Sequence, residues 1–327
     1  MRKRKLGNTG IEVSPIAVGC WAFAGGKLWG DQDEAESAGA VHAALDAGLQ
    51  FFDTAEGYGD GHSEEVLGRA LLGRREQAVI ATKVSPGHLA KAEVIAACER
   101  SLRRLQTDYI DLYQVHWPNR EVPLSETLEA LTLLEQQGKI RAAGVCNFGA
   151  VDLGEALQHR ALASNQIIYS LLWRAVEYEV QPLCEQEGVG LLCYSPLAQG
   201  LLGGKYTAID QFPEERMRTK HFASSRAAAP HHEPGLEAET FAAVRAIAQL
   251  CEEIGQPMNK VALAWLLHQP GVASVLGGVR NREQALSNAA AASLELSPDF
   301  LRRLDAITAE VKQGLGPDLD FTGYRVR

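Results

Sequence analysis

Four residues with proton-handling side chains, Asp53, Tyr58, Lys83 and His116, each fall at or just beyond the end of a short apolar run. Asp53 and Tyr58 share one stretch, FFDTAEGYGDG over 51–61, in which Gly57, Gly59 and Gly61 let the chain turn tightly behind a buried strand. A carboxylate, a phenol, an ammonium and an imidazole gathered at one place make a proton donor with its supports. A buried Lys83 needs a counter-charge, which Asp53 on a neighbouring strand supplies. An ammonium beside a phenol favours the phenolate, so Tyr58 is expected to drop below its ordinary pKa of about 10. Each residue alone has a plainer role: Asp as turn former, Tyr as surface residue, His as a satisfied structural group, Lys as a solvated strand end. Their coincidence on successive strand ends singles them out.

Those ends need a scaffold that brings them to one rim. The first residues predict a hairpin cap over 1–15, turning at Gly7-Asn8-Thr9-Gly10. Apolar runs then predict strands at 16–19, 50–53, 78–82, 110–115, 142–145, 165–168, 190–194 and 273–276. Helical spacing predicts helices at 33–47, 63–72, 91–105, 125–137, 150–158, 178–187, 238–254, 260–268 and 282–292, the first capped by Asp33. Eight strands, each followed by a helix, imply parallel pairing with right-handed crossovers. The count and even spacing fit a single (β/α)8 TIM barrel over 1–327 better than a doubly wound open sheet. In such a barrel the C-terminal strand ends carry the chemistry, and Asp53, Lys83 and His116 end three consecutive strands. Residues 207–235 break the pattern with Pro213, Pro230 and Pro234 and read as a mobile flap.

Composition excludes several classes. A net charge of -9 and pI near 5.5, with no basic tract longer than Arg2-Lys3-Arg4-Lys5, argue against a nucleic-acid partner. No apolar run approaches membrane-spanning length, and no signal-peptide pattern follows the basic start, so a cytoplasmic protein is expected. The six cysteines are scattered without CxxC pairs, which suits free thiols and no metal site, and His231-His232 lacks ligand spacing around it. Two phosphate-binding patterns fail. Gly57-x-Gly59 lacks the third glycine of a dinucleotide fingerprint, which falls at His62. Gly203-Gly204-Lys205 lacks the opening glycine of a P-loop, which falls at Gln199, and Tyr206 replaces the magnesium-binding hydroxyl.

The segments DTAEGYG with Asp53 and Tyr58, ATK ending in Lys83, DYIDLYQVHWP with His116, GVCNF with Asn147, YSPLAQGLLGGKY from Tyr194 and GGVRNREQALSN from Gly277 closely resemble the aldo-keto reductases. The bacterial stress-protein branch and the potassium-channel β subunits are the nearest in look, and the likeness runs from the hairpin to Asn288. The resemblance implies NADPH across the barrel mouth, with NADH possible, and hydride transfer to an aldehyde or ketone. Tyr58 would be the proton donor, tuned by Lys83 and Asp53, and His116 would orient the carbonyl and could assist the proton transfer. Asn147 and Gln166 would hold the carboxamide, and Tyr194 would stack on the nicotinamide. Ser195, Pro196, Leu197, Gln199, Gly200 and Lys205 would follow the pyrophosphate. Gly278, Arg280, Gln284 and Asn288 would hold the adenosine end, with Arg218 as a further partner of the 2′-phosphate. Trp21, counted also among cofactor contacts, and Trp117 would line a pocket for a small-molecule carbonyl substrate.

Two departures stand out. Cys146 replaces a common serine before Asn147 and adds an oxidisable thiol, and Leu276-Gly277-Gly278 stands where many relatives read Ile-Pro-Gly, so phosphate recognition leans on Arg280 and Arg218. The same residues would also suit a slow-turnover nicotinamide sensor. A monomer is the default expectation.

Overall fold

In the computed structural model, which describes residues 1–26, 30–320 and 326, eight parallel strands close into a barrel. The short pair β1 (Arg4–Lys5) and β2 (Glu12–Val13) forms the expected antiparallel hairpin. The barrel runs β3 (Ile16–Gly19), β4 (Phe51–Asp53), β5 (Val79–Val84), β6 (Leu112–Val115), β7 (Ala143–Cys146), β8 (Ser164–Ile168), β9 (Gly190–Tyr194) and β10 (Val272–Gly278). Each strand pairs with the next, and β10 returns to β3, aligning Val275 with Ile16 and Gly278 with Gly19. Closure leaves none of the eight barrel strands with an unpaired edge.

The helices are α1 (Glu34–Asp46), α2 (His62–Ala70), α3 (Lys91–Leu105), α4 (Leu124–Gln136), α5 (Ala150–His159), α6 (Val180–Glu187), α7 (Glu237–Glu253), α8 (Met258–Leu267), α9 (Arg282–Ala291), α10 (Pro298–Ile307) and α11 (Ala309–Leu315). Asp33 caps α1 by accepting from Ala35 N and Glu36 N. The last two helices are absent from the sequence expectation, although Ser297 accepts from Phe300 N and Pro298 opens the first turn of α10, a start signal that stands in the sequence. Arg174 and Lys312 both pair with Glu177, which ties α11 back to the loop after β8.

Two apolar layers result. The larger lies between the strands and the helices, and the smaller fills the barrel. Inside, Phe51, Leu112 and Leu192 pack with small residues such as Ala17, Ala81 and Ala163, leaving room for Leu6, Ile11 and Val13 of the hairpin to plug the floor. The plug sits tightly because Gly7 has φ +53, and a Cβ there would lie 2.3 Å from Ala163 O and 2.9 Å from Gly188 O, both backbone atoms. Gly7→Ala should therefore cost at least about 1–3 kcal/mol, read as a lowered urea midpoint with unchanged m. An unchanged midpoint would show that the floor adapts.

The floor is closed and the chemistry is left to the other end. There the expected strand 78–82 extends to Val84, so Lys83 lies inside β5 rather than beyond it and is fully buried. The excursion 207–235 is anchored along much of its length. Phe212 and Phe222 stack at 5.3 Å and pack on Phe241 of α7, His221 hydrogen-bonds Leu172 O through Nε2, and Arg226 pairs with Glu237. All six cysteines are free and buried. Among the described residues no helix is long and apolar enough to cross a membrane, and no group of three His, Cys, Asp or Glu is placed to hold a metal.

Candidate active site

Asp53 ends β4, and Lys83 is next to last in β5, so both project into the barrel mouth. Lys83 Nζ donates to Asp53 Oδ1 at 2.6 Å, to Thr54 O at 2.7 Å and to Tyr58 Oη at 3.2 Å. An ammonium has three protons, and all three are spoken for. Because Tyr58 Oη accepts from Lys83, its own hydrogen is free to point elsewhere. Asp53 is held in turn by Gln166, whose Nε2 donates to Oδ2 at 2.7 Å.

The electrostatics reverse one sequence expectation. Tyr58 was expected to fall below its ordinary pKa, but burial pushes the phenol up, Lys83 only partly pulls it back, and it settles at about 12. Tyr58 is thus a protonated phenol at neutral pH. Burial draws the Lys83 ammonium down, yet Asp53 and then Tyr58 outweigh it, and its pKa ends raised. His116, following β6, is lowered to about 3 by burial and by Lys83, so its imidazole is neutral. Its ring meets Tyr58 edge-on at 5.7 Å, while Trp21 stacks on the other side of Tyr58 at 5.6 Å and 23°. Trp21 is exposed and Trp117 half-buried beside His116, both at the mouth.

Around this cluster the backbone is strained. Asn147, Ser195, Ala198 and Gln199 have φ of 60°, 51°, 46° and 59°, a region that non-glycine residues rarely enter. All four lie just past β7 and β9. Tyr194 Oη donates to Asn147 Oδ1 at 2.8 Å, and Asn147 Nδ2 donates to His116 O at 3.0 Å, so this rim is preorganised. Tyr194 is therefore fixed by its hydroxyl as well as by its ring. The turn 195–200, with Pro196, Leu197 and Gly200, wraps under Arg218, whose Nη2 donates to Gln199 Oε1 at 2.6 Å. Lys205, beyond that turn, is exposed.

The far side of the mouth is built after β10. Gly278 ends the strand, Arg280 N donates to Gln284 Oε1, and Asn281 caps α9. The Arg280 side chain reaches across to Gln32 Oε1 at 2.8 Å and Asp31 O at 2.7 Å, a link absent from the sequence reading. Both acceptors are neutral, so the guanidinium keeps its charge for an anion. Among the described residues Asn288 Nδ2 and Arg218 Nε are buried without a hydrogen-bond partner. Orphaned donors, an arginine whose side-chain acceptors are neutral, and strained backbone at the mouth fit an extended anionic dinucleotide. Cys146 departs from expectation: it is 1% exposed, and burial pushes its thiol up, so it is not an accessible oxidisable group.

Sequence reasoning missed Glu56, a buried carboxylate two residues before Tyr58. The loop DTAEGYGDG carries other acidic residues, Asp53 and Asp60, so nothing in its sequence marks Glu56 as the buried one.

A family model described as Aldo/keto reductase family matches residues 15–309. Aldo-keto reductase YhdN of Bacillus subtilis (strain 168) is 37% identical over 299 residues, covering 87% of this chain and 86% of that protein. The NADH-specific methylglyoxal reductase of Escherichia coli (strain K12) is 35% identical over 323 residues, covering 91% and 95%. A solved aldo-keto reductase from Klebsiella pneumoniae in complex with NADPH superposes with a TM-score of 0.75 at 32% identity, covering 94% of this chain and 95% of that one.

Proposed function

Because the chain belongs to the aldo/keto reductase family, we propose that it is an NADPH-dependent reductase of aldehydes and some ketones in which Tyr58 is the proton donor. The observation that carries this reading is the 3.2 Å contact from a fully buried Lys83, itself on Asp53, to a phenol that stays protonated at neutral pH. When bound, the nicotinamide supplies a hydride to the carbonyl carbon. As negative charge grows on the carbonyl oxygen, Tyr58 Oη releases its proton to that oxygen, and the Lys83 ammonium stabilises the tyrosinate left behind. Neutral His116 orients the carbonyl by hydrogen bonding and does not serve as an acid. Trp21 and Trp117 form the apolar walls and keep water from the reacting centre.

The cofactor-holding set follows the mouth. Gln166, held through Nε2, turns its free Oε1 to the carboxamide beside Tyr194, and Asn147, held at both Oδ1 and Nδ2, offers the second proton of Nδ2. Ser195, Leu197, Gln199 and Lys205 follow the pyrophosphate, and Gly278, Gln284 and Asn288 take the adenosine. Arg280 and Arg218 bind the 2′-phosphate, so the 207–235 segment acts as a flap chiefly through Arg218. Its well-packed aromatic core confines any movement to the parts nearest the mouth.

A fluorescence titration with NADPH and NADH, followed by steady-state rates on an aldehyde panel, tests this function. NADPH should bind more tightly, and Arg280→Ala should weaken NADPH about 10–100-fold, the worth of one charge-assisted contact, while leaving NADH within about threefold. Equal loss for both cofactors would remove Arg280 from the phosphate. Tight binding without turnover on any aldehyde would favour a nicotinamide sensor instead.

A further inference from the structure

Glu56 lies two residues before Tyr58, is 5% exposed, and takes no part in the proton path described above. Its carboxylate is fully employed elsewhere. Oε1 accepts from Ser85 N at 2.7 Å and contacts His88 Nδ1 at 2.8 Å, and Oε2 accepts from Arg100 Nη2 at 3.3 Å. Ser85 directly follows β5, and Arg100 lies on α3. The Tyr58 loop is thus tied to the strand that carries Lys83. The same strand holds the loop at further points: Thr54 N donates to Ala81 O at 2.9 Å and Glu56 N donates to Lys83 O at 3.3 Å. The backbone bonds secure the base of the loop, Tyr58 N bonds Ala55 O and Ser63 N bonds Tyr58 O at its far end, and the Glu56 side chain is the tie from the middle of the loop to the exit of β5. Beyond it Gly57 packs against Ser85, where a Cβ would sit 3.3 Å from Oγ, and Gly59 and Gly61 have positive φ. A loop with so many glycines has little stiffness of its own.

We infer that Glu56 is a positioning residue, which sets the Tyr58 hydroxyl against Lys83 by bolting the tyrosine loop to the exit of β5. The inference rests on the reductase reading for its kinetic test, and it adds a residue outside the set that handles the proton. The electrostatics agree with it: burial pushes the Glu56 carboxyl up, but its hydrogen bonds with His88 and Ser85 N and the nearby Arg100 guanidinium outweigh that and hold it below the usual carboxylate range, and an ionised oxygen makes the stronger tie to Ser85 N. A proton donor must be held within a fraction of an ångström, and a misplacement of about 1 Å costs roughly 10²-fold in rate.

Three variants and two readouts test it. Glu56→Ala removes the tie and should lower kcat by about 30-fold or more, with KM for an aldehyde and Kd for NADPH within about threefold of wild type. Glu56→Gln keeps an oxygen for Ser85 N and should restore kcat to within about threefold. Ser85→Pro deletes the donor from the other side at φ -69, an angle proline adopts, and should reproduce the kcat loss even where Glu56→Ala fails to fold. The second readout needs no cofactor: amide hydrogen exchange across 54–61 should quicken about tenfold in Glu56→Ala and Ser85→Pro. Unchanged exchange with unchanged kcat overturns the inference, as does a kcat loss matched by an equal loss of NADPH affinity. If the wild type reduces no aldehyde, the reductase reading falls, and the exchange measurement alone decides whether Glu56 holds the loop.

Discussion

Tyr58→Phe is expected to lower kcat for aldehyde reduction by about 10²–10⁴-fold, the usual contribution of a positioned acid, while NADPH still binds with wild-type affinity. The substitution removes one oxygen and leaves the ring between Trp21 and His116, so the walls of the pocket survive. Steady-state rates with parallel fluorescence titration measure both halves. Near wild-type turnover would sink Tyr58 as the donor. The pH profile of kcat/KM supplies an independent check, because it reports groups of the free enzyme. Raising pH removes the donated proton, so the rate should fall only as pH approaches about 12, the value at which burial and Lys83 leave the phenol. No acid limb should appear between about pH 5 and 8, because His116, lowered to about 3, is neutral throughout that window. A limb near the ordinary histidine pKa of about 6.5 would mean that His116 titrates there and shares in proton transfer.

The second large effect falls on stability. Lys83→Met leaves Asp53, 2% exposed, with Gln166 as its side-chain partner and without a counter-charge. Removing one member of a buried pair costs about 3–5 kcal/mol, and Lys83→Met should lose that much in urea unfolding. Combining it with Asp53→Asn removes the orphaned charge and should recover part of the loss, so the two substitutions will be strongly non-additive. Simple additivity would show that the pair is not coupled. Neither variant should keep useful turnover, since in the proposed mechanism Lys83 supports the tyrosinate.

Much of this architecture was legible because barrels advertise themselves. Short apolar runs alternating with amphipathic stretches gave the strand and helix order, and Asp53, Lys83 and His116 fell at one rim because strand ends in a parallel barrel share it. The failures have physical reasons. Sequence shows that Lys83 neighbours a phenol but not how dry the site is, and desolvation of Tyr58 outweighs the ammonium. β5 runs on to Val84 because pairing with Val115 extends it, a tertiary effect that local apolarity does not carry. The clasp from Arg280 to Gln32 joins loops from opposite ends of the chain, so no local pattern announces it. The helix α10 is a different case: Ser297 and Pro298 were visible, and the element went unread.

The pairing of β3 with β10 has a consequence for how the protein comes into being. The first and last barrel strands meet across nearly the whole chain, which makes that seam the strand pairing with the highest closure entropy. During synthesis the Tyr58 and Lys83 segments emerge early, whereas Gly278, Arg280 and Asn288 leave the ribosome near the end. A partly made chain therefore exposes β3 as an unpaired edge next to an unfinished mouth. NADPH binds only the closed form in this reading, so it should protect the seam by mass action, and cofactor supply becomes a determinant of how much finished barrel survives proteolysis.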